Sequence, residues 1–283
     1  MRRPSNKNRE LRRALRGPSP AAAFVFCLFL AAGSTAEAAG DLVGHQAIYR
    51  ITLETASAGS GVVDASGAVL YRFADACDGW TVENRTALRL ILGEDAETTT
   101  EWAYASWEAK DGSAFRFRVR DSQDGDLIEE LRGNAELGSI GAPGRVDFSR
   151  PEQTAIDLPA GTMFPTDHLQ RLFKLAQAGK HTSTDYMFDG ASLENPYRVG
   201  AVFGPAPNSI REDLAARTGL GDLPVWTVRL AFFPVAEEGA VPKFEVGLHY
   251  REDGIADVIE QDFGDFVLRL TMAEFELLPE PGC

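Results

Sequence analysis

Residues 115–125 read Phe-Arg-Phe-Arg-Val-Arg-Asp-Ser-Gln-Asp-Gly. Phe115, Phe117 and Val119 alternate with Arg116, Arg118 and Arg120. Successive side chains on an extended strand point to opposite faces, so this stretch makes one apolar and one charged face. Asp124-Gly125 then supplies the positive φ that a tight hairpin needs. The segment predicts a β-strand that turns back on itself.

The same period recurs on both sides of it. Ala47, Tyr49, Ile51 and Leu53 alternate, as do Val69, Tyr71 and Phe73, then Trp80 and Val82, then Thr86, Leu88 and Leu90. Later come Trp226, Val228, Leu230 and Phe232, then Phe244, Val246, Leu248 and Tyr250, and finally Phe266, Leu268, Leu270 and Met272. Asp78-Gly79, Asp111-Gly112 and Asp253-Gly254 separate strand-like runs. Connections this short favour antiparallel neighbours, so the expectation is an all-β fold of about a dozen strands, a single large curved meander of the open-barrel or β-spiral kind. One stretch departs from it. Asp167–Ala178 puts Leu169, Leu172, Phe173 and Ala176 on one helical face, with Pro165 keeping the preceding chain extended, Thr166 placed to cap the start, and Gly179 and Lys180 marking the stop. A shorter helix around Asn208–Thr218 is the second candidate, in a stretch from Gly204 to Pro224 that otherwise reads as a long loop.

The N-terminus has a different character. Seven basic residues between Arg2 and Arg16 precede the apolar run Ala21–Ala32, and Ala36-Glu37-Ala38 fits the small-residue cleavage rule. That order is a secretory signal peptide over residues 1–38, leaving one β-rich periplasmic domain over 39–283. The apolar run is short for a membrane span, which needs about 20 residues, so an uncleaved anchor is the lesser reading. The Arg-Arg pairs lack most of the twin-arginine signature, and Cys27 lacks the context of a lipoprotein cysteine. The whole chain carries 28 basic and 42 acidic residues, net −14; residues 1–38 hold 7 and 2 of these, which leaves 21 against 40 and a net charge of −19. A domain so acidic does not seek nucleic acid or anionic lipid through bulk charge.

Two cysteines remain after residue 38, Cys77 and Cys283. An even pair in an exported chain reads as a disulfide; free thiols or a bond between chains are the alternatives. The search for catalytic or metal chemistry finds no nucleophile elbow, paired-histidine metal motif, C-x-x-C or phosphate loop. Of His45, His168, His181 and His249, no two share metal-ligand spacing. His168, in the first turn of the helix, is the most interesting, and a polar contact at the helix start is its simpler reading; His249 is expected on the wet side of its strand. Asp121, Asp124 and Asp126 resemble a calcium loop only loosely, for no glutamate stands at the twelfth position, and a hairpin turn is the better reading. Trp80, Trp102, Tyr104, Trp107 and Trp226 either fill the core of a curved sheet, the preferred reading, or line a concave surface.

The chain resembles the EipB-like cell envelope integrity proteins, a periplasmic family of alphaproteobacteria. The residues that carry the likeness are His45-Gln46-Ala47-Ile48-Tyr49, Gly67 with Tyr71-Arg72-Phe73, Cys77-Asp78-Gly79-Trp80, the run Leu158–His168, Phe188-Asp189-Gly190, and Leu277-Leu278-Pro279 with the final Cys283. The resemblance implies a spiral β-sheet with a helix, tied by a disulfide matching Cys77 and Cys283. It also implies a non-enzymatic role in envelope maintenance without a cofactor, with envelope proteins as partners, tetratricopeptide-repeat proteins among them. Trp80 and His168 are the candidate interaction residues. The competing expectation is a lipid or lipoprotein carrier that uses the concave face of the sheet.

Overall fold

The structure, a computed structural model, describes residues 42–283 apart from 94, 95, 140, 237, 238 and 240. The leader predicted over residues 1–38 lies outside them. The described residues hold fifteen strands: β1 (His45–Ala56), β2 (Val62–Asp75), β3 (Gly79–Leu92), β4 (Ala96–Ala109), β5 (Ala114–Gln123), β6 (Asp126–Leu137), β7 (Gly144–Arg150), β8 (Thr154–Leu158), β9 (Thr162–Met163), β10 (Thr182–Met187), β11 (Tyr197–Pro205), β12 (Val225–Pro234), β13 (Phe244–Arg251), β14 (Ala256–Asp262) and β15 (Phe266–Leu277). Two helices interrupt them, α1 (Pro165–Gln177) and α2 (Asn208–Thr218).

All fifteen strands form one sheet, in the order β8-β7-β6-β5-β4-β3-β2-β1-β15-β14-β13-β12-β11-β10-β9. The meander therefore exists as two halves. They are joined by pairing of the first strand with the last, His45 opposite Leu277 and Ile51 opposite Leu270. Turn signals show only neighbours in sequence, so this seam lies beyond a local reading. The two edge strands, β8 and β9, are consecutive in the chain. Residues 159–161 alone join them, with the Thr162 N–H donating to the Pro159 carbonyl at 3.2 Å, so the edges meet at a single turn and the sheet nearly closes into a barrel. Near-closure leaves little unpaired edge for another chain to extend. One pair, β9 with β10, is parallel.

The alternation works as predicted. Phe115, Phe117 and Val119 are buried with Leu131, Val146 and Phe148 of the adjacent strands. Arg116 and Arg118 stay outside, Arg116 4.8 Å above the Trp107 ring and Arg118 3.8 Å from Glu130. The β5–β6 hairpin turns through Asp124 (φ 53°) and Gly125 (φ 89°). The Asp124 carboxylate accepts the Thr99 N–H at 2.8 Å, a turn-stabilising role and not a calcium one. At Asp78-Gly79 the expected positive φ moves back to Cys77 (φ 70°). Gly79 is needed for a different reason: a Cβ there would lie 2.4 Å from the Trp107 Nε1 and 2.6 Å from the Glu108 carbonyl.

Helix α1 packs Leu172 and Ala176 onto β11–β13 and Phe173 onto Phe73 and Leu42. Burying Leu172 and Phe173 stabilises by roughly 1.5–3 kcal/mol each. Its predicted start needs correction. Thr166 makes no cap; the helix begins at Pro165, and the buried Glu108 of β4 accepts the Thr166 and Asp167 N–H groups, both at 2.8 Å. The cap comes from 58 residues away because β4 brings a carboxylate directly beneath the helix end, where the dipole favours negative charge. Gly179 (φ 72°) ends α1 as expected. Helix α2 follows the loop after β11, buries Leu214 among Tyr49, Ile255 and Met272, and stops at Gly219 (φ 68°).

Candidate functional site

Inside the barrel lies a cavity of about 470 Å³, walled by β1–β5 and β13–β15. The register explains its wall. One continuous rung of inward residues runs Tyr49–Val69–Thr86–Trp102–Asp121 across five strands. Ile51, Leu88, Leu268 and Leu270 add aliphatic surface beside it. At the β14–β15 turn Phe263 and Phe266 line the cavity with ring centroids 5.1 Å apart, and Phe263 is 44% exposed.

Two polar groups in this wall lack partners. The His45 Nδ1 lies 2.9 Å from the Val43 carbonyl. A carbonyl only accepts, so Nδ1 carries the hydrogen and Nε2 is left as an acceptor. That Nε2 is buried and without a hydrogen bond. Burial pushes the His45 pKa below its ordinary value and keeps the ring neutral, and Tyr71, Phe73 and Phe275 pack around it at 5.7–6.0 Å between centroids. The Asp121 Oδ1 is likewise buried and unpaired. Burial raises the Asp121 pKa, opposed by the Ser122 N–H. By contrast the buried Tyr49 hydroxyl is satisfied, donating to the Ala256 carbonyl at 2.6 Å.

The predicted interaction residues stand elsewhere, and neither Trp80 nor His168 lines the cavity. Trp80 is half-buried, stacked on Phe73 at 5.1 Å, with the Lys110 ammonium 4.7 Å over its ring. His168 is 2% exposed. Its Nε2 lies 3.8 Å from Asp185, whose carboxylate accepts from Arg171 at 2.9 Å. Burial pushes the His168 pKa down to about 4, against the pull of Asp185. His249 faces outward from its strand, half-buried, with Nδ1 3.3 Å from Asp257. Among the described residues no group of three or more His, Cys, Asp or Glu side chains is arranged to hold a metal.

The aromatic residues fall to both readings offered for them, and Trp107 to neither. Trp102, stacked on Tyr104 at 5.5 Å, lines the cavity. Trp226 packs beside Tyr250 against the core. Trp107 lies on the outer face under Arg116. Cys77 and Cys283 come to disulfide distance, with Cα atoms 6.0 Å apart. The polar cavity groups were missed as a site, although a signal existed. Asp121 continues the phase of Phe115, Phe117 and Val119, and His45 continues that of Ala47 and Tyr49.

The fold and this interior define the class: a nearly closed antiparallel barrel around an apolar, partly polar-lined cavity, with a helix packed on its wall. Residues 36–279 match the EipB-like family, and the chain belongs to it. It is similar to the cell envelope integrity protein EipB of Brucella abortus (strain 2308), 29% identical over 262 residues, which are 92% of each chain. It is also similar to the crystal structure of a β-barrel-like protein of a domain of unknown function from Brucella abortus, with a TM-score of 0.74 and 28% identity. That match covers 84% of this chain and 99% of the other.

Proposed function

We propose that this chain is exported to the periplasm and supports the integrity of the cell envelope by binding rather than by catalysis, through contacts with other envelope proteins. The observation that carries the envelope role is the likeness, along 92% of both chains, to a protein named for cell envelope integrity. The basic leader and the acidic remainder of the sequence support export, and the Cys77–Cys283 approach supports an oxidising compartment, where the pair forms a bond. Tetratricopeptide-repeat proteins are the partner class to try first. A strain lacking this chain is expected to be hypersensitive to detergents and to cell-wall antibiotics. Wild-type tolerance in that strain would remove the reading.

The cavity favours a second reading, a carrier for a lipid or another apolar molecule. A volume of about 470 Å³ lies within the range of small-molecule sites, about 300–1,000 Å³. Native mass spectrometry of the protein purified from the envelope tests this. An adduct of lipid mass is expected; no adduct, together with no binding on titration, sinks the carrier.

A further inference from the structure

The polarity of the cavity wall narrows the ligand further than its size does, on the premise of the carrier reading. Two of the side chains that line the space, Asp121 and His45, each hold a buried acceptor atom without a partner, Oδ1 and Nε2. Both are acceptors. His45 lies four residues along β1 from the rung that ends in Asp121, about 13 Å of strand at 3.3 Å per residue. Glu129 of β6 is the register partner of Asp121 and adds negative charge behind it. Among the described residues no lysine or arginine lines the wall. A carboxylate in a largely apolar wall without a cation is costly, and a ligand head group that supplies a donor to it lowers that cost.

We propose that the cavity binds a single-chain amphiphile whose head group donates hydrogen bonds and carries no negative charge, with a primary amine favoured above a hydroxyl. The chain lies along Ile51, Leu88, Leu268 and Leu270, and the head meets Asp121. A carboxylate or phosphate head is rejected, because it would face an acceptor and a second negative charge with no cation nearby. Phe263 and Phe266 give the entrance an apolar lip.

The test is calorimetric titration of the purified protein with dodecylamine, dodecanol and laurate, each below its micelle concentration. The amine is expected to bind tightest and laurate at least tenfold more weakly than the alcohol. Shortening the amine by one methylene should weaken binding about fourfold. Asp121→Asn, which keeps the shape, should weaken the amine about tenfold and the alcohol less than threefold. Thr100→Trp, which narrows the cavity, should weaken binding of all three. Laurate binding as tightly as the amine overturns the proposal and leaves a carrier of another ligand class standing. Equal amine binding by Thr100→Trp also overturns it, since the attraction would then be to the acidic surface. No binding by any probe overturns the carrier reading as well.

Discussion

Glu108, in the wall of the sheet, holds the first turn of α1 through Thr166: its carboxylate accepts the Thr166 N–H at 2.8 Å and that of Asp167 at the same distance. The Glu108 pKa is pushed up to about 7, because burial penalises the charge more than these two donors favour it. The unfolded chain gives up this proton near the ordinary value of 4.5. Between the two values the folded state binds more protons than the unfolded one, so this contribution is fully present below pH 4.5 and is lost as pH rises through 7. Urea unfolding at pH 5 and pH 8 reads it. Glu108→Gln should gain stability relative to wild type on going to pH 8, and an unchanged difference would refute the assignment. Glu108→Ala, which strips both N–H groups of their acceptor, should cost about 2 kcal/mol at pH 5 and less at pH 8, where the wild type has lost this contribution.

His168 has the opposite slope. Its pKa is pushed down to about 4 from 6.5, chiefly by burial. The unfolded state then binds more protons between those values, so stability is present above pH 6.5 and is lost as pH falls through 4. His168→Gln should therefore unfold at a lower pH than wild type in an acid titration followed by circular dichroism. The same variant should complement a deletion strain at neutral pH, because a residue 2% exposed has little surface to offer a partner. Loss of complementation by a stably folded His168→Gln would restore it as a functional residue.

Cys77 and Cys283 are separated by 206 positions. On the chain-entropy account a bond across that span stabilises by roughly 5 kcal/mol, less any strain and any residual order in the unfolded chain. Cys77→Ser and Cys283→Ser should each lower the melting temperature of the oxidised protein, by the same amount as the double variant. Single variants that melt like wild type would show that no such bond acts.

Gly190 sits at φ 66°, and a Cβ there would come within 2.4 Å of the Phe117 ring. Both the backbone and the packing forbid a side chain. Gly190→Ala should destabilise by about 3 kcal/mol, at the upper end of ordinary point mutations, as measured by chemical unfolding. A change below about 1 kcal/mol would mean that the segment after β10 does not pack on β5 as described.

Thr100→Trp separates the cavity from the surface of the barrel in vivo. If a ligand matters, the variant should melt within a few degrees of wild type yet leave a deletion strain sensitive to detergent. Full complementation would assign the envelope role to the outer surface alone.

The sequence made the inward and outward faces legible wherever alternation is strict, as in Phe115–Arg120, because a strand has a fixed two-residue period. Both helices were legible from spacing and from their glycine stops. The cap by Glu108 and the seam of β1 on β15 were not, for each joins residues far apart in the chain and no local rule connects them. The cavity was half legible. The phase of β5 placed Asp121 inside, but Asp121 stands near a turn, and turn chemistry explained it well enough to hide a second role. Trp80 and His168 drew notice through residue type and family motif, whereas the side chains with unmet hydrogen-bonding capacity that line the cavity are His45 and Asp121.

The seam between β1 and β15 also governs the order of assembly. A chain made or threaded from its N-terminus presents β1 early, and β2 can cover one of its edges at once. The other edge has no partner until β15, the last strand, has arrived. Throughout that interval β1 offers a row of vacant backbone donors and acceptors beside its apolar face, the features that invite pairing with a foreign strand. Completion of this barrel is thus a terminal event that waits on nearly the whole polypeptide, and truncation by even the final strand leaves a permanently adhesive rim.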